Sequence, residues 1–520
     1  MKRHITNIIK YAGGIFLMLS SSIVIAQDYS DCSPAALEIL KTKRMWHETS
    51  NAAGLLFDNT PQYSEVNLGY QWQNGNYHRP QQGKSENSVK VNAEGGMKLG
   101  EASVWGLFSF SRDAINDANY NASIIDPFRG MPYYVADTNP SDWRNQHYKL
   151  QFKAAYPLFQ SLSIGMEGEY RASLGAKQRD PRTENRQFTL VLKPGIVYSL
   201  NDKHKIGANF EYYSLKEESN MTNVNHQVDQ TYYALYGLGT AVIGLGSGRT
   251  TNYVGNNIGG AIQYNYRGDV NILLEGKYNV KVEDVEISFT SPKDDSSVKD
   301  KNWSGKAMFY QESRNFLNTL TLQYINRHID GIQYITQRDN TSSYQGWMSL
   351  YSNIRSTYKT QDWSAAYSLK AKRNDEYKWM IDAGVDYMKQ NDTYLIPYSI
   401  MNYENLKFNA GGKINFRLSD KMFKRLLVGA HFTYNTNLSG TYDYNGSHAD
   451  YPTVTDFEQN DFNYLTSDYY GINISAVYSQ KYSDRSKGNI YLKGLFNYVK
   501  TNASQYGHRS YAEFTFGCNF

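Results

Sequence analysis

The sequence predicts an all-β fold, a transmembrane antiparallel up-and-down β-barrel of about 20 strands (18–22) with a short N-terminal helical segment. Three observations point there. In Ser510–Phe520, Ala512, Phe514, Phe516, Cys518 and Phe520 share one strand face, and Tyr511, Glu513, Thr515, Gly517 and Asn519 the other. A two-residue period, apolar outside and polar inside, marks a membrane barrel strand, and a terminal aromatic residue resembles the insertion signal of such barrels. The same alternation recurs along the chain. Finally, 46 Tyr, 22 Phe and 8 Trp against only 12 Pro suit a wall of paired strands with aromatic girdles at the lipid interfaces.

Residues 1–26 read as a signal peptide: Lys2, Arg3 and Lys10, then the apolar Ile15–Leu19, then a cleavage site at Val24-Ile25-Ala26. No later stretch approaches the apolar length of a spanning helix. The expected location is the outer membrane of a Gram-negative bacterium. With 54 basic and 50 acidic residues, the near-neutral balance gives no argument for nucleic acid as a partner. Cys32 and Cys518 are too few for a disulfide framework; two free thiols are the leading expectation, and a bridge tying the N-terminal segment to the last strand near the periplasmic rim is the alternative.

Residues 27–62 carry a helical pattern, with Leu37, Leu40, Met45 and Leu55 apolar among Glu38, Lys41, Lys43 and Arg44. The segment either lies as a helix against the periplasmic mouth or folds into the lumen as a small plug. Some occlusion is expected, by this segment or by infolded loops, because wide barrels otherwise hold an aqueous hole. No convincing TonB box lies near Gln27, so an energised receptor is not expected.

The barrel is placed at 63–520. Val66, Leu68, Tyr70 and Trp72 alternate with polar neighbours, as do Tyr148 to Ala154, Leu162 to Tyr170, Ile272 to Tyr278, Trp379 to Tyr387, Phe408 to Phe416, Leu426 to Tyr434 and Ile490 to Tyr498. Clear segments number an odd 19, and 393–403, weakened by Pro397, brings the expectation to 20. Short turns fall at Leu99-Gly100, Asn201-Asp202, 267–269, 419–421 and 483–488. Long loops are expected at 113–145, 173–185, 216–257, 282–302, 328–345 and 437–467. Short turns on the periplasmic side and long loops outside is the organisation of such barrels.

By parity, Lys90, Lys149, Lys153, Arg171, Lys193, Lys277, Lys413, Arg425 and Lys493 face the lumen, with Glu167, Glu169, Asp382 and Asp386 among the opposing acids. Basic rings favour anions in a pore; the same residues also fit an ion-pair network that stiffens a closed lumen. In the loops, Asp126, Phe128, Arg129, Tyr133 and Tyr134 belong to a stretch too apolar for free solvation, expected to pack inward, while Tyr232 and Tyr236 open a second long loop. These are the recognition candidates. Gly244-Leu245-Gly246-Ser247-Gly248 lacks the Lys-Ser/Thr of a phosphate loop, and Arg179, Arg182 and Arg186 suit a solvated face. His226/Asp229, His328/Asp330 and His448/Asp450 have no specific metal or catalytic spacing. No catalytic residue, metal or cofactor is expected.

Trp46 to Leu56, Gly83 to Ser88, Asp126 to Asp137 and Gln178 to Arg182 are similar to stretches in a family of uncharacterised outer-membrane β-barrels from Bacteroidota. The resemblance implies the fold and location and carries no functional residues. The leading expectation is a passive or gated channel, or an accessory uptake protein, for a small solute. The alternative is a non-conducting surface scaffold partnering an outer-membrane receptor or lipoprotein. Outer-membrane lipid and, during insertion, the barrel-assembly machinery are the other expected partners.

Overall fold

In a computed structural model the barrel closes with 18 strands. The structure describes residues 33–520 except 59–60, 226, 247, 289–291, 340–345 and 484–487; the signal peptide and Cys32 lie outside the described residues. The first strands are β1 (Tyr63–Gly75), β2 (Ser85–Leu99), β3 (Ala102–Ala118), β4 (Val135–Ala136), β5 (Ser141–Phe159), β6 (Leu162–Lys177), β7 (Arg182–Ser199) and β8 (His204–Thr222). Next come β9 (Thr231–Gly237), β10 (Thr240–Leu245), β11 (Arg249–Tyr266), β12 (Asn271–Ser288), β13 (Lys293–Glu312), β14 (Phe316–Asp339) and β15 (Gly346–Arg373). The last are β16 (Glu376–Leu395), β17 (Tyr398–Ser419), β18 (Lys424–Asp443), β19 (Tyr469–Lys481), β20 (Asn489–Thr501) and β21 (His508–Asn519).

All wall strands pair antiparallel with their sequence neighbours, and β1 pairs with β21 from Glu65↔Asn519 to Gly75↔Arg509. Closure leaves no unpaired edge, as hydrocarbon requires. The even number puts both ends of the barrel chain on the side of the short turns, the periplasmic side. Gly100, at φ +61°, allows the two-residue turn between β2 and β3.

The count is 18, at the lower end of the expected range, and one of the two strands by which it falls short of 20 has a physical reason. Residues 393–403 are not an independent strand. Leu395 ends β16, Tyr398 opens β17, and Ile396-Pro397 is the two-residue turn between them, where Pro's missing N–H costs no ladder bond. β4, β9 and β10 form a separate small sheet. Three expected loops, 173–185, 282–302 and 328–345, are chiefly strand, since β6, β7 and β12 to β14 run through most of them. Above the lipid the outer face becomes polar, so the hydropathy alternation stops while pairing continues.

The outer face is apolar, with Ile258 63 % and Ile262 70 % exposed on β11. Ile262→Lys should destabilise the barrel by about 2–4 kcal/mol, the usual penalty for a lysine deep in an apolar belt. Urea unfolding in lipid vesicles measures it; an unchanged midpoint would place this face outside the lipid. The core is inside the barrel, in two storeys. Ile39, Met45, Trp46 and Ala53 pack on Val197, Leu273, Met308, Leu317 and Leu427 at the periplasmic end. Tyr120, Ile124, Met131, Tyr133 and Tyr134 pack on Leu215, Tyr253, Val285, Val298 and Ile329 at the outer end.

Candidate solute path and its two closures

The periplasmic storey is residues 33–58. Helix α1 (Pro34–Lys43) starts on Ser33, whose hydroxyl accepts from the Ala36 N–H (3.2 Å), with Pro34 in the first turn, where it needs no partner. Wall strands hold the segment from many sides. Glu38 accepts from Lys413 (2.8 Å) and Tyr377 (2.6 Å). Lys41 pairs with Glu65 (3.0 Å) and Glu94. The Asn51 side chain donates to the Ile196 (2.9 Å) and Ala208 (3.2 Å) carbonyls. Lys153 donates to the His47 (2.7 Å) and Thr49 (3.2 Å) carbonyls. Residues 33–58 thus pack against inward-facing residues of the wall.

The outer storey is built by the loop between β3 and β5, the β4–β9–β10 sheet, and helix α2 (Gln459–Leu465). Arg129 is the centre of it, buried between Glu217 and Glu283 (2.7 Å to the latter), 5.1 Å from the Tyr253 ring, with its carbonyl accepting from Arg327 (2.7 Å). Arg79 grips Asp461 of α2 through two bonds of 2.5 Å. Tyr133 is interior beside Tyr236 (ring centroids 6.1 Å apart), Tyr134 accepts from Gln81 (2.5 Å), and Tyr232 packs on Ala122, Val135 and Met221. These tyrosines pack the loops together, Tyr133 and Tyr134 buried and Tyr232 and Tyr236 half-buried. Asp126 and Phe128 stay exposed; Asp126 accepts from the Phe128 N–H (2.9 Å), and Arg79 stands 4.3 Å from the Phe128 ring.

Burial in this mouth, with the Asp461 and Asp392 carboxylates beside it, pushes the Glu458 carboxyl up to about 8. A raised carboxyl pKa stabilises the folded mouth below the free carboxyl's range, and that stability is lost as pH rises through 8. Protease cutting within 437–467 should therefore be faster at pH 9 than at pH 6. Equal rates after correction for the protease's own pH dependence would contradict this.

The wall between the storeys is divided. From β5 to β12 the charges cancel in a ladder: Lys153–Glu167 (3.2 Å), Glu167–Lys193 (2.9 Å), Lys193–Glu211 (3.9 Å) and Glu211–Lys277 (2.6 Å). Glu169 takes both Lys149 (3.2 Å) and Arg171 (2.6 Å), and Arg425 takes Glu376 (2.8 Å). Asp382 meets His431 (3.1 Å), Asp386 meets Lys407 (3.0 Å), and Lys493 meets Glu513 (3.3 Å). Among the described residues, Lys90 makes no ion pair. It lines a cavity of about 510 Å³ between α1 and the wall of β1, β2 and β17 to β21. Asn67, Gln71, Asn92, Asn473, Ser475 and Thr515 line it too. Sequence parity did not mark this half of the lumen as different.

His328 and Asp330 (2.7 Å) lie on β14, not in a loop, and His448 stacks on Tyr451 (4.4 Å); His226 lies outside the described residues. Among the described residues, no group of three His, Cys, Asp or Glu side chains could hold a metal ion. Among the described residues, Cys518 is buried and has no disulfide partner.

A closed antiparallel barrel of even strand number, apolar outside and polar or filled inside, is an outer-membrane protein of a Gram-negative bacterium. Residues 52–520 match the family of unknown function DUF6850, and the chain belongs to it. No curated protein matches. Among solved structures the chain is similar to BauA, the ferric preacinetobactin receptor from Acinetobacter baumannii (6 % identity, TM-score 0.39, covering 88 % of this chain and 80 % of that one). It is also similar to the ferric-catecholate import receptor Fiu from E. coli K12 (8 %, 0.39, 88 % and 81 %). A third is the FrpB iron transporter from Neisseria meningitidis (10 %, 0.38, 89 % and 82 %). Likeness this low says nothing about a solute.

Proposed function

We propose that the protein admits a small polar solute across the outer membrane, as a gated barrel closed below by residues 33–58 and narrowed, not sealed, above by its folded-in loops. In this reading residues 1–26 are a removed signal peptide, 27–62 the plug and 63–520 the barrel. The supporting observation is the 510 Å³ cavity beside α1. Its volume is that of a small-molecule site, and its amides, hydroxyls and unpaired Lys90 suit a hydroxylated solute, neutral or anionic. The charge ladder of the opposite wall serves as scaffold and supplies no free cation. Liposome swelling tests this. Protein lacking residues 33–58 should admit monosaccharides and exclude polymers, and the intact protein should admit both poorly. Equal, unrestricted entry through the intact protein would contradict gating.

Exposed Val242 (59 %) and Leu245 (67 %) on β10 support a second reading, a surface scaffold for a lipoprotein or receptor. That reading requires the truncated protein to stay impermeable.

A further inference from the structure

The outer wall from β12 to β16 carries a pattern that solute uptake does not use. Tyr278, Trp303, Tyr324, Trp363 and Tyr387 form a patch of rings on the lipid-facing side, with Tyr278–Trp303 centroids 4.3 Å apart and Tyr324–Trp363 4.1 Å apart. The register joins the patch across strands: Tyr278 faces Trp303, Tyr324 lies across from Gly305, and Trp363 faces both Tyr324 and Tyr387. On β13 to β16 the apolar outward run ends here on the side away from the short turns; on β12 it continues through Val280 and Val282, which face Lys301 and Lys299 in register. This is the aromatic girdle at the outer-leaflet interface.

Immediately above it the outward positions turn basic. Lys301 is two residues beyond Trp303, Lys299 four beyond, and Lys359 four beyond Trp363. Their neighbours Val298, Asp300 and Tyr358 point inward: Val298 packs in the outer luminal core with Tyr358 against it, and Asp300 bonds Arg327, which itself holds the Arg129 carbonyl. In register, Lys301 faces His328 directly, and His328 faces Lys359 directly. Basic groups placed directly opposite destabilise a sheet, and here they recur across three adjacent strands. Asp330 is the anion within the group; it accepts from Lys301 (3.0 Å) and contacts His328 (2.7 Å). Lys299 and Lys359 are exposed and, among the described residues, make no ion pair. At about 3.3 Å per residue on tilted strands, these ammonium groups stand roughly 5–10 Å above the rings, at headgroup depth.

We infer that Lys299, Lys301 and Lys359, with His328, bind the phosphate of an outer-leaflet glycolipid. Its sugar would rest on the aromatic patch and its acyl chains on the apolar belt below. The position commits the site to a lipid, because the cations face outward and continue the lipid-facing surface. Lysine supplies the point charge that a phosphate takes, and each lysine adds measurably to the hold on an anionic headgroup. This inference does not depend on what the lumen carries.

Native mass spectrometry of the detergent-solubilised full chain, titrated with bis-phosphorylated lipid A, tests it. The wild type should retain the lipid. Lys299→Gln combined with Lys359→Gln should weaken retention by roughly tenfold to thirtyfold, and dephosphorylated lipid A on the wild type should show a comparable loss. Lys500→Gln, an exposed lysine on distant β20, should change nothing, and heat-resistant mobility on gels should show all variants folded. Retention by the double variant equal to wild type would overturn the site. So would equal binding of the dephosphorylated lipid, which would mean that the belt alone holds the chains. Displacement of the lipid by millimolar inorganic phosphate alone would make it a free-anion site and overturn the lipid assignment.

Discussion

Arg129→Ala should lower the stability of the outer storey by about 3 kcal/mol, because it strands Glu217 without its cation in a closed interior and leaves Glu283 only Lys281 (2.7 Å). Removing one partner of a buried ion pair costs more than the pair contributes, since the remaining charges keep their desolvation penalty. The loop from 119 to 140 would lose its central tie, and the Arg129 carbonyl its guided approach to Arg327. Expected results are early protease cutting between residues 119 and 140 and flickering current in bilayers, while the barrel itself stays folded on gels. Adding Glu217→Gln and Glu283→Gln to Arg129→Met should recover much of the loss. A single variant with wild-type protease resistance would show that packing of Ile124, Met131 and Tyr133 alone holds the loop.

Gly165→Leu should displace the plug. Gly165 is on β6, and even a Cβ there would overlap the backbone of Ala53 and Ala52, which cannot swing aside as a side chain does. Overpacking of this kind costs about 1–3 kcal/mol or more where backbone must move. The wall has no such difficulty, since the strand pairing of β6 does not involve the side chain. The hydrogen bonds of Asn51 to the Ile196 and Ala208 carbonyls should break with the movement. Measured against wild type, the variant should keep its heat-resistant mobility, expose residues 33–58 to periplasmic-side protease and conduct continuously. Loss of barrel folding together with the plug would make the segment part of the wall's stability and not a gate.

The barrel was legible because lipid imposes one rule on every strand. Leu68, Tyr70 and Trp72 must face out, and Glu65, Asn67 and Gln71 must face in, so a single pattern repeats. The strand ends drifted where lipid stops: around His328 and Asp330 the outer face is polar and nothing in hydropathy distinguishes a paired strand in water from a loop. The filled lumen was legible only in part. Val197, Leu273, Leu317 and Leu427 are apolar on the inner face near the periplasmic end, and Leu215, Tyr253, Val285 and Val298 near the outer end. Each breaks the alternation, and together they mark where α1 and the loops would pack. Read as exceptions, they signal an occluded barrel; read as noise, they vanish. The pairing of Arg129 with Glu217 and Glu283 spans long sequence separations, and no local spacing reveals it.

The measurement that bears most directly on a gated uptake barrel is steady conductance in a planar bilayer, intact protein beside protein lacking residues 33–58. A gated barrel should give silence or brief openings for the intact chain and steady conductance after truncation, with a weak anion preference that Lys90→Glu reverses. Silence from a folded truncated barrel would contradict it, and so would steady, equal conductance from both forms.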